Sequence, residues 1–194
     1  MAVPAKLQVI TSDSRWARYC PKGEPVVIEP ATIADIQAIA AVFISNRSDR
    51  GLFQEPVGEL ARNLADFLVA RDALGSTVGC LGLHRDTGEL AEVYGVAVLP
   101  KFQGQGIGTK LLQECKRRAV ATDVSLLWLA TVKPEYFSRY SFRPASRWDL
   151  PAAVLLRKFR LVFQQPVQRW VPVLLGRHTF MTCDLGKREV FFDA

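Results

Sequence analysis

The sequence contains no long hydrophobic run. Its longest apolar stretches, at 124–132 and 171–175, are far shorter than the roughly 20 residues that a membrane-spanning helix needs. Residues 1–24 also lack the apolar core of a secretory signal. We therefore expect no membrane association. We interpret residues 1–24 as a disordered or edge-packed arm, with a transit peptide as the open alternative.

Cysteine and histidine are too sparse and too scattered for a zinc site. The sequence has no CxxC pair and only two histidines, His84 and His178, whereas structural zinc sites use four cysteine or histidine ligands at short spacings. We predict no metal, and we interpret the cysteines as reduced thiols in the core of a cytoplasmic protein. The cysteines are Cys20, Cys80, Cys115 and Cys183.

The rest of the composition is typical of one soluble globular domain. Hydrophobic residues make up 49% and charged residues 23% of the 194 residues, as in folded proteins. We expect one domain at 25–186, between the arm and a C-terminal tail at 187–194. The net charge of +6 suits an anionic ligand, a nucleic acid or an acidic substrate. Because no RNA-binding motif appears, we predict no nucleic-acid partner.

Apolar spacing in the first half predicts short strands and an amphipathic helix. A strand at 26–29 precedes Thr32, which has the chemistry of a helix N-cap, and Asp35 three residues later forms a variant capping box. The segments 67–71 and 77–84 are typical of a strand pair. The predicted buried face of the first helix consists of Ile33, Ile36, Ile39, Ala40 and Phe43.

A strand, a glycine loop, a helix and a second strand follow one another in the middle of the chain. The apolar segment 91–99 precedes Pro100, and the loop Gln103–Gly108 leads directly into a helix. The next apolar run, 125–132, predicts a buried strand. Such a crossover makes the two strands parallel and brings the loop to the carboxyl end of the first one, where α/β sheets bind ligands. The helix is expected to bury Ile107, Leu111, Leu112, Cys115 and Ala119.

The glycine loop has the chemistry of a phosphate site. Glycines at 104, 106 and 108 let backbone N–H groups and the helix dipole converge on an anion, and a pyrophosphate fits this arrangement. The nucleoside-triphosphate loop requires GxxxxGK[ST], but here Thr109 precedes Lys110. The dinucleotide fingerprint requires GxGxxG, but the spacing here is GxGxG. Both of these loops are excluded.

The segment QGQGIG, Gln103–Gly108, resembles the [QR]xxGx[GA] pyrophosphate loop of the GNAT superfamily of N-acetyltransferases. Two flanking segments extend the resemblance over 26–142: AEVYGVAVLP is similar to the fourth strand of that fold, and LATVKPEYFSRYSF to its fifth strand and fourth helix. The resemblance implies an α+β fold whose central sheet is mixed and mostly antiparallel, with a splayed parallel pair of fourth and fifth strands and flanking helices. It also implies acetyl-coenzyme A as co-substrate.

The resemblance implies which residues hold the coenzyme. The fourth strand would pair with the pantetheine arm, with a bulge at Gly95 and a strand N–H near Val98 directed at the developing oxyanion. Phe137 is also expected to contact the coenzyme. The expected coenzyme-binding residues of the strand and loop are Val96, Ala97, Val98, Gln103, Gly104, Gln105, Gly106, Ile107, Gly108 and Thr109.

The resemblance also suggests catalytic residues. Glu92 occupies the position of a glutamate general base, although an exposed strand-start glutamate in a salt bridge is the open alternative. Many relatives place a tyrosine acid where this chain has Phe137, so Tyr136 and Tyr140 are the candidates, with simple packing aromatics as the alternative. His84 is interpreted as structural, at the end of a strand. Because Cys115 lies on a buried stripe, we expect no acyl-cysteine intermediate.

In its order of segments the chain resembles the short, stand-alone N-acetylglutamate synthase type, which implies the α-amine of glutamate or a similar amino acid as acceptor, in arginine biosynthesis. One departure weakens this: Gln54 or Glu55 occupies the position of a basic residue near the family's substrate site. Other amines, protein amines and a noncatalytic acetyl-coenzyme A-binding module are the alternatives. The basic segment 151–177 is either a solvated edge or a substrate clamp, and homodimerisation is left open.

Overall fold

The computed structural model describes residues 25–46, 57–146, 151, 154, 156 and 178–186. Within these residues, seven strands form one sheet. The strands are β1 (Val27–Pro30), β2 (Phe67–Arg71), β3 (Thr77–Thr87), β4 (Leu90–Val98), β5 (Leu126–Thr131), β6 (Arg143–Pro144) and β7 (Thr179–Asp184). The helices are α1 (Ile36–Ser45), α2 (Val57–Arg62), α3 (Ile107–Ala121) and α4 (Pro134–Ser138). Short 3-10 turns lie at Ile33–Asp35, Leu64–Asp66 and Pro100–Phe102.

The sheet is mixed, and its one parallel pair lies near the centre. The strand order is β1-β2-β3-β4-β5-β7-β6, and each neighbouring pair is antiparallel except β4 with β5. The parallel register runs from Leu90 opposite Leu126 to Glu92 opposite Trp128, and the pairing ends there. The predicted α+β fold, with a mostly antiparallel sheet and a splayed parallel pair, is confirmed.

The helix α3 makes the crossover that places β5 parallel to β4. The five apolar residues of its predicted stripe are all buried, and they pack on one face of the sheet. Complete burial of a leucine side chain stabilises the fold by about 1.5–3 kcal/mol, so Leu111 and Leu112 contribute strongly to holding α3 in place. The burial of α3 thereby fixes the position of the loop that precedes it.

The start of α1 depends on a buried carboxylate. The backbone N–H and the hydroxyl of Thr32 both donate to Asp35 Oδ2 at 2.8 Å, so the predicted capping pair is confirmed. Arg71 on β2 also donates to Asp35 Oδ2, at 2.9 Å. Burial alone would raise the pKa of Asp35, but hydrogen bonds from Thr32 and Arg71 outweigh it and lower that pKa. The predicted burial of Ile33 is wrong: its side chain is 82% exposed, because it lies in a 3-10 turn that does not follow the helical period.

The two faces of the sheet carry different side chains. The face that packs on α3, called the α3 face, is apolar, whereas the face that packs on α1, called the α1 face, combines apolar and titratable groups. Sheet residues of the α3 face include Leu68, Ala70, Leu81, Ala91, Val93, Leu127 and Leu129. Those of the α1 face include Phe67, Val69, Cys80, Tyr94 and Ala97, and the register adds His84 and Glu92.

Several predictions concern residues outside the part of the chain that the structure describes. These are the arm 1–24, Gln54 and Glu55, nearly all of the basic segment 151–177, and the tail 187–194. The domain bounds 25–186 also stay a prediction. No helix among the described residues is long and apolar enough to cross a bilayer. Cys80, Cys115 and Cys183 are buried, as predicted for core thiols, and Cys20 lies outside the described residues.

Candidate active site

The glycine loop brings backbone N–H groups to the start of α3. Gly104 and Gly106 both have φ +77°, and Gly106 caps the helix in the left-handed conformation, which costs glycine far less than other residues. The Lys110 N–H donates to the Gly106 carbonyl at 3.0 Å and closes the first helical turn. The N–H groups of residues 107–109 therefore have no acceptor within the helix and point out of its start, as an anion site requires.

The end of β4 directs one peptide unit away from β3. Val98 lies opposite Gly79, and the Leu99 N–H donates to the Val78 carbonyl at 2.8 Å. In an antiparallel ladder this alternation turns the N–H and C=O of Val98 away from β3. The same alternation turns the N–H and C=O of Ala97 towards β3. Of the predicted coenzyme contacts on this strand, the backbone of Val98 is therefore directed away from β3 and the backbone of Ala97 is not.

Two amide side chains close on the Val98 carbonyl. Asn46 Nδ2 donates to it at 3.1 Å and Gln103 Nε2 at 3.0 Å. Gln103 Nε2 also lies 3.0 Å from Asn46 Oδ1. Gln103 is a predicted loop residue, whereas Asn46, which caps the end of α1, was not predicted from the sequence. Together they connect α1, the end of β4 and the first residue of the glycine loop.

A bulge bends β4 immediately before this segment. Gly82 lies opposite Tyr94 and Cys80 opposite Ala97, so three steps along β4 match two along β3. Gly95 lies within the extra segment with φ +58°, and the bulge predicted at Gly95 is confirmed. Because the pairing of β4 with β5 also stops at Glu92, the two strands separate beyond that residue and leave a gap beside Val96 and Val98.

Glu92 is buried at the point where this gap opens. Its side chain is 1% exposed, and it lies between His84 on β3 and Trp128 on β5 in the sheet register. The alternative of an exposed strand-start glutamate is therefore wrong. A carboxylate in this position can accept a proton from a group that enters the gap.

A second polar group lies next to Glu92 on the α1 face. His84 Nδ1 is 2.7 Å from Asp66 Oδ2, and the Tyr94 hydroxyl donates to the same oxygen at 3.2 Å. His84 was predicted to end a strand, but β3 continues to Thr87. Asp66 and Tyr94 were not identified from the sequence. The only available signal was the alternation of Glu92 and Tyr94 with apolar residues along β4.

The aromatic residues of α4 lie against the first turn of α3. Tyr140 follows α4 in the next turn; its hydroxyl is buried and lies 2.7 Å from Thr109 Oγ1, so it joins this turn to α3. The Tyr136 hydroxyl lies over Gly108, where a Cβ atom would be 2.3 Å from it. Burial is the main cause that raises the pKa of Tyr136, and Tyr140 raises it further. Phe137 is buried in the α3-face core, edge-on to Phe142.

Two predictions of absence concern this region. Cys115 is buried on α3, and desolvation raises its pKa to about 12, which makes it a poor nucleophile at neutral pH. Among the described residues, no three His, Cys, Asp or Glu side chains come together as a metal site would require. The absence of a metal from the protein stays a prediction.

Comparison with known proteins identifies the family of the chain. Residues 33–142, more than half of the chain, match the family model described as the acetyltransferase (GNAT) family. The chain belongs to this family. Members of the GNAT family use acetyl-coenzyme A, so the chain is an acetyl-coenzyme A-dependent N-acetyltransferase, and this part of the predicted function is confirmed.

Three similar proteins illustrate the relationship. The chain is 28% identical over 118 residues to the amino-acid acetyltransferase of Mycobacterium tuberculosis, covering 60% of this chain and 67% of that protein. It is 24% identical over 127 residues to an uncharacterised N-acetyltransferase of Chlorobaculum tepidum, covering 66% of this chain and 81% of that protein. The structure of Neisseria gonorrhoeae N-acetylglutamate synthase with coenzyme A and N-acetylglutamate has a TM-score of 0.69 at 23% identity, covering 86% of this chain and 36% of that one. This last likeness shows the fold alone.

Proposed function

We propose that this GNAT acetyltransferase transfers an acetyl group from acetyl-coenzyme A to the α-amine of a small amino acid, with Glu92 as the general base. The observation that supports this is the position of Glu92. It is the last residue of β4 that pairs with β5, it is 1% exposed, and it lies at the start of the gap between the strands, two residues before the bulge begins at Tyr94. A carboxylate there lies beside the space in which an acyl group and an amine would meet.

The residues at the start of α3 fit the pyrophosphate of the coenzyme. The N–H groups of residues 107–109 and the helix dipole favour an anion. Among the residues that the structure describes, no group outside the neighbouring residues lies within 4 Å of the position that a Cβ atom on Gly104 would occupy, so a phosphate could approach the loop closely there. Val98 would offer its backbone N–H to the pantetheine arm, because its C=O already accepts hydrogen bonds from Asn46 and Gln103. Bound in this way, the coenzyme supplies an activated thioester carbonyl.

The base is needed because an amino acid reaches the enzyme as an ammonium ion. Glu92 accepts one proton from the nitrogen, directly or through water, and leaves a neutral amine with a free electron pair. The nitrogen–carbon bond then forms as the carbon–sulfur bond breaks. The nitrogen loses its second proton as it becomes an amide nitrogen, and the departing thiolate takes up one proton, so one net proton remains on Glu92. General base catalysis of this kind contributes about 10²–10⁴-fold to a rate.

Of the two candidate tyrosines, Tyr136 is the better donor to the leaving sulfur. Its hydroxyl lies at the start of α3, over Gly108. Tyr140 is 4% exposed, and its hydroxyl is engaged with Thr109. A raised pKa keeps Tyr136 protonated at neutral pH, so it can donate a hydrogen bond to a thiolate. We therefore assign Tyr136 to the leaving group and Tyr140 to the positioning of α4.

The amino-acid acceptor is supported by the relatives. One relative, an amino-acid acetyltransferase, is 28% identical to this chain over about two thirds of the relative's length. The net charge of +6 also suits an acidic substrate. L-glutamate is the first candidate, which would place the reaction in arginine biosynthesis in the cytoplasm. Glu55 would repel the side-chain carboxylate of a glutamate substrate, so neutral amino acids are the next candidates.

The test measures release of coenzyme A thiol from acetyl-coenzyme A with a panel of amino acids, polyamines, aminoglycosides and peptide amines, starting with L-glutamate. We expect turnover with an amino acid and its loss in Gly106→Glu, which places a negative charge at the helix start. Gly75→Glu, at an exposed turn position with the same φ of +77°, is the matched control for charge and backbone strain and should keep activity.

Two other outcomes contradict the proposal at different levels. Turnover only with amines that are not amino acids would overturn the acceptor and keep the chemistry. Binding of acetyl-coenzyme A without turnover of any amine would overturn catalysis and favour a noncatalytic binding module.

A further inference from the structure

We infer that His84, oriented by Asp66, carries the substrate proton from Glu92 to solvent. This inference rests on the proposed role of Glu92 as base. Glu92 must give up one proton in every turnover, yet its side chain is only 1% exposed. The side chains of His84 and Asp66 are 32% and 23% exposed. His84 and Asp66 are therefore partly accessible to bulk water, whereas Glu92 is not.

The sheet register places His84 next to Glu92. The two residues lie directly opposite each other on the antiparallel strands β3 and β4, so both side chains extend from the α1 face. Directly opposed residues have Cβ atoms about 4.5–5.5 Å apart. An imidazole and a carboxylate at that separation can exchange a proton directly or through one water.

Asp66 determines which nitrogen of His84 takes part. Asp66 Oδ2 lies 2.7 Å from Nδ1, and a carboxylate is an acceptor, so Nδ1 carries the hydrogen in the neutral ring. Nε2 is then the atom with the lone pair that takes the proton from Glu92. The imidazolium that forms is stabilised by Asp66, and it releases the Nε2 proton to buffer. One proton enters from the ammonium group and one leaves to solvent, so each residue returns to its starting state.

Tyr94 holds Asp66 in this orientation. Its hydroxyl donates to the same Oδ2 at 3.2 Å, and its ring packs edge-on against Phe67 with centroids 5.2 Å apart. The ring lies across β3 because residue 82 is glycine: a Cβ atom there would be 2.5 Å from the ring. A larger residue at 82 would displace Tyr94 and with it the hydroxyl that fixes Asp66.

The titratable groups that face His84 come from three segments. Asp66 comes from the turn before β2, and Glu92 and Tyr94 come from β4. Asp86, two residues further along β3, accepts a hydrogen bond from Trp128 Nε1 at 2.7 Å. Asp66 and Glu92 both stabilise a protonated His84, so loss of either negative charge should lower the pKa of His84.

The first experiment is rescue of a relay variant. His84→Ala should lower kcat about 10- to 100-fold in a dilute buffer that shuttles protons poorly, and added imidazole should restore activity in a saturable way. Imidazole should not rescue Glu92→Gln, because that variant lacks the base itself. His178→Ala, at the other histidine of the chain, should retain wild-type activity. A merely structural His84 would give a loss that imidazole does not restore, and that result overturns the relay.

The second experiment does not need an acceptor. With only two histidines in the chain, the ring signals of His84 can be followed by NMR and assigned with His178→Ala. We expect the Nδ1–H tautomer in the neutral ring and a lower His84 pKa in both Asp66→Asn and Glu92→Gln. The acid limb of the kcat/KM profile should move to lower pH in Asp66→Asn, since His84 accepts protons only above its pKa.

The two experiments separate failure of the relay from failure of the proposed function. If the His84→Ala enzyme turns over substrate as fast as wild type, the relay is overturned and the proposed function is not. If no amine is turned over, the proposed function is overturned, and the NMR titration still decides the relay geometry. If His84 titrates identically in wild type and in Glu92→Gln, the proposed relay geometry is contradicted.

Discussion

The two faces of the sheet differ in their side chains: the α3 face is an apolar core, and the α1 face carries the polar groups of the candidate site. On the α3 face, β2 to β5 and α3 meet in a continuous apolar core. On the α1 face the same strands carry phenyl rings together with Glu92, His84 and Tyr94, which lie near Asp66. Each strand alternates its side chains between the two faces, so β4 contributes both to the core and to the site.

This difference shows how the fold tolerates a buried carboxylate. A buried charge is costly, and the burial of apolar side chains on the α3 face contributes stability that offsets this cost. The account therefore predicts that changes on the α3 face alter stability, whereas changes at the polar groups of the α1 face alter catalysis.

The largest stability effect is expected on the α3 face. Leu68→Ala removes a side chain on β2 that is 1% exposed, and it should lower the free energy of unfolding by about 2–5 kcal/mol through lost burial and a cavity. The activity per folded molecule should be unchanged, because Leu68 points away from Glu92. Denaturant unfolding measures the first quantity, and turnover corrected for the folded fraction measures the second.

Leu74→Ala is the control for this variant. Leu74 is 91% exposed in the turn between β2 and β3, and its removal should change stability by less than about 0.5 kcal/mol. Loss of activity in Leu68→Ala without loss of stability would break the proposed division between the faces.

A smaller effect, and one that reaches catalysis, is expected from Gly82→Ala on the α1 face. The added methyl group would lie 2.5 Å from the Tyr94 ring. Overpacking of this kind costs about 1–3 kcal/mol, and displacement of Tyr94 should release Asp66 and reduce turnover. Unfolding and turnover measured on the same preparation separate the two effects.

Gly58→Ala is the matched control for a glycine substitution. Gly58 lies in α2 with no other group near its Cβ position, so alanine should stabilise the protein by about 0.5–1 kcal/mol. Gly82→Ala with full activity would show that the position of Tyr94 does not affect the site.

The smallest effect is expected at Cys115, the thiol of α3 on the α3 face. Burial raises its pKa to about 12, so about one thiol in ten thousand is ionised at pH 8 and the thiol should resist iodoacetamide in the folded protein. Peptide mass spectrometry would measure the labelling, and the unfolded protein, which should react, provides the control. Rapid labelling of the folded protein would contradict the tight packing of this face.

The same pKa shift has a consequence for stability at high pH. In the folded protein the thiol keeps its proton above the ordinary pKa of 9.0. The contribution of the protonated thiol to the free energy of unfolding is therefore present below pH 9 and is lost as the pH rises from 9 towards 12. Cys115→Ala should reduce this pH dependence.

The sequence was sufficient for the parts of the site that follow one another along the chain. The glycine loop, the buried stripe of α3 and the parallel crossover depend on local spacing and were predicted from it, whereas the bulge at Gly95 was predicted from the family resemblance. Ile33 was assigned wrongly because the helical period was extended into a 3-10 turn. Ala97 was expected to hold the coenzyme, but the register turns its backbone towards β3.

The parts that were not predicted depend on contacts between distant segments. Asp66 reaches His84 across 18 positions and Tyr94 across 28, and Gln103 reaches Asn46 across 57. Spacing within one strand does not reveal such contacts, because they depend on the sheet register. The assignment of Tyr136 and Tyr140 to different roles likewise depends on the packing of α4 against α3.

The measurement that tests the central claim most directly is a comparison of kcat/KM for Glu92→Gln and wild type over a range of pH, together with the dissociation constant for acetyl-coenzyme A. Glu114→Gln, at an exposed pair with Arg117 on α3, serves as the matched control. The account predicts a loss of about 10²–10⁴-fold in kcat/KM, with the dissociation constant and the unfolding midpoint nearly unchanged. A Glu92→Gln enzyme with wild-type kcat/KM across the pH range would contradict it.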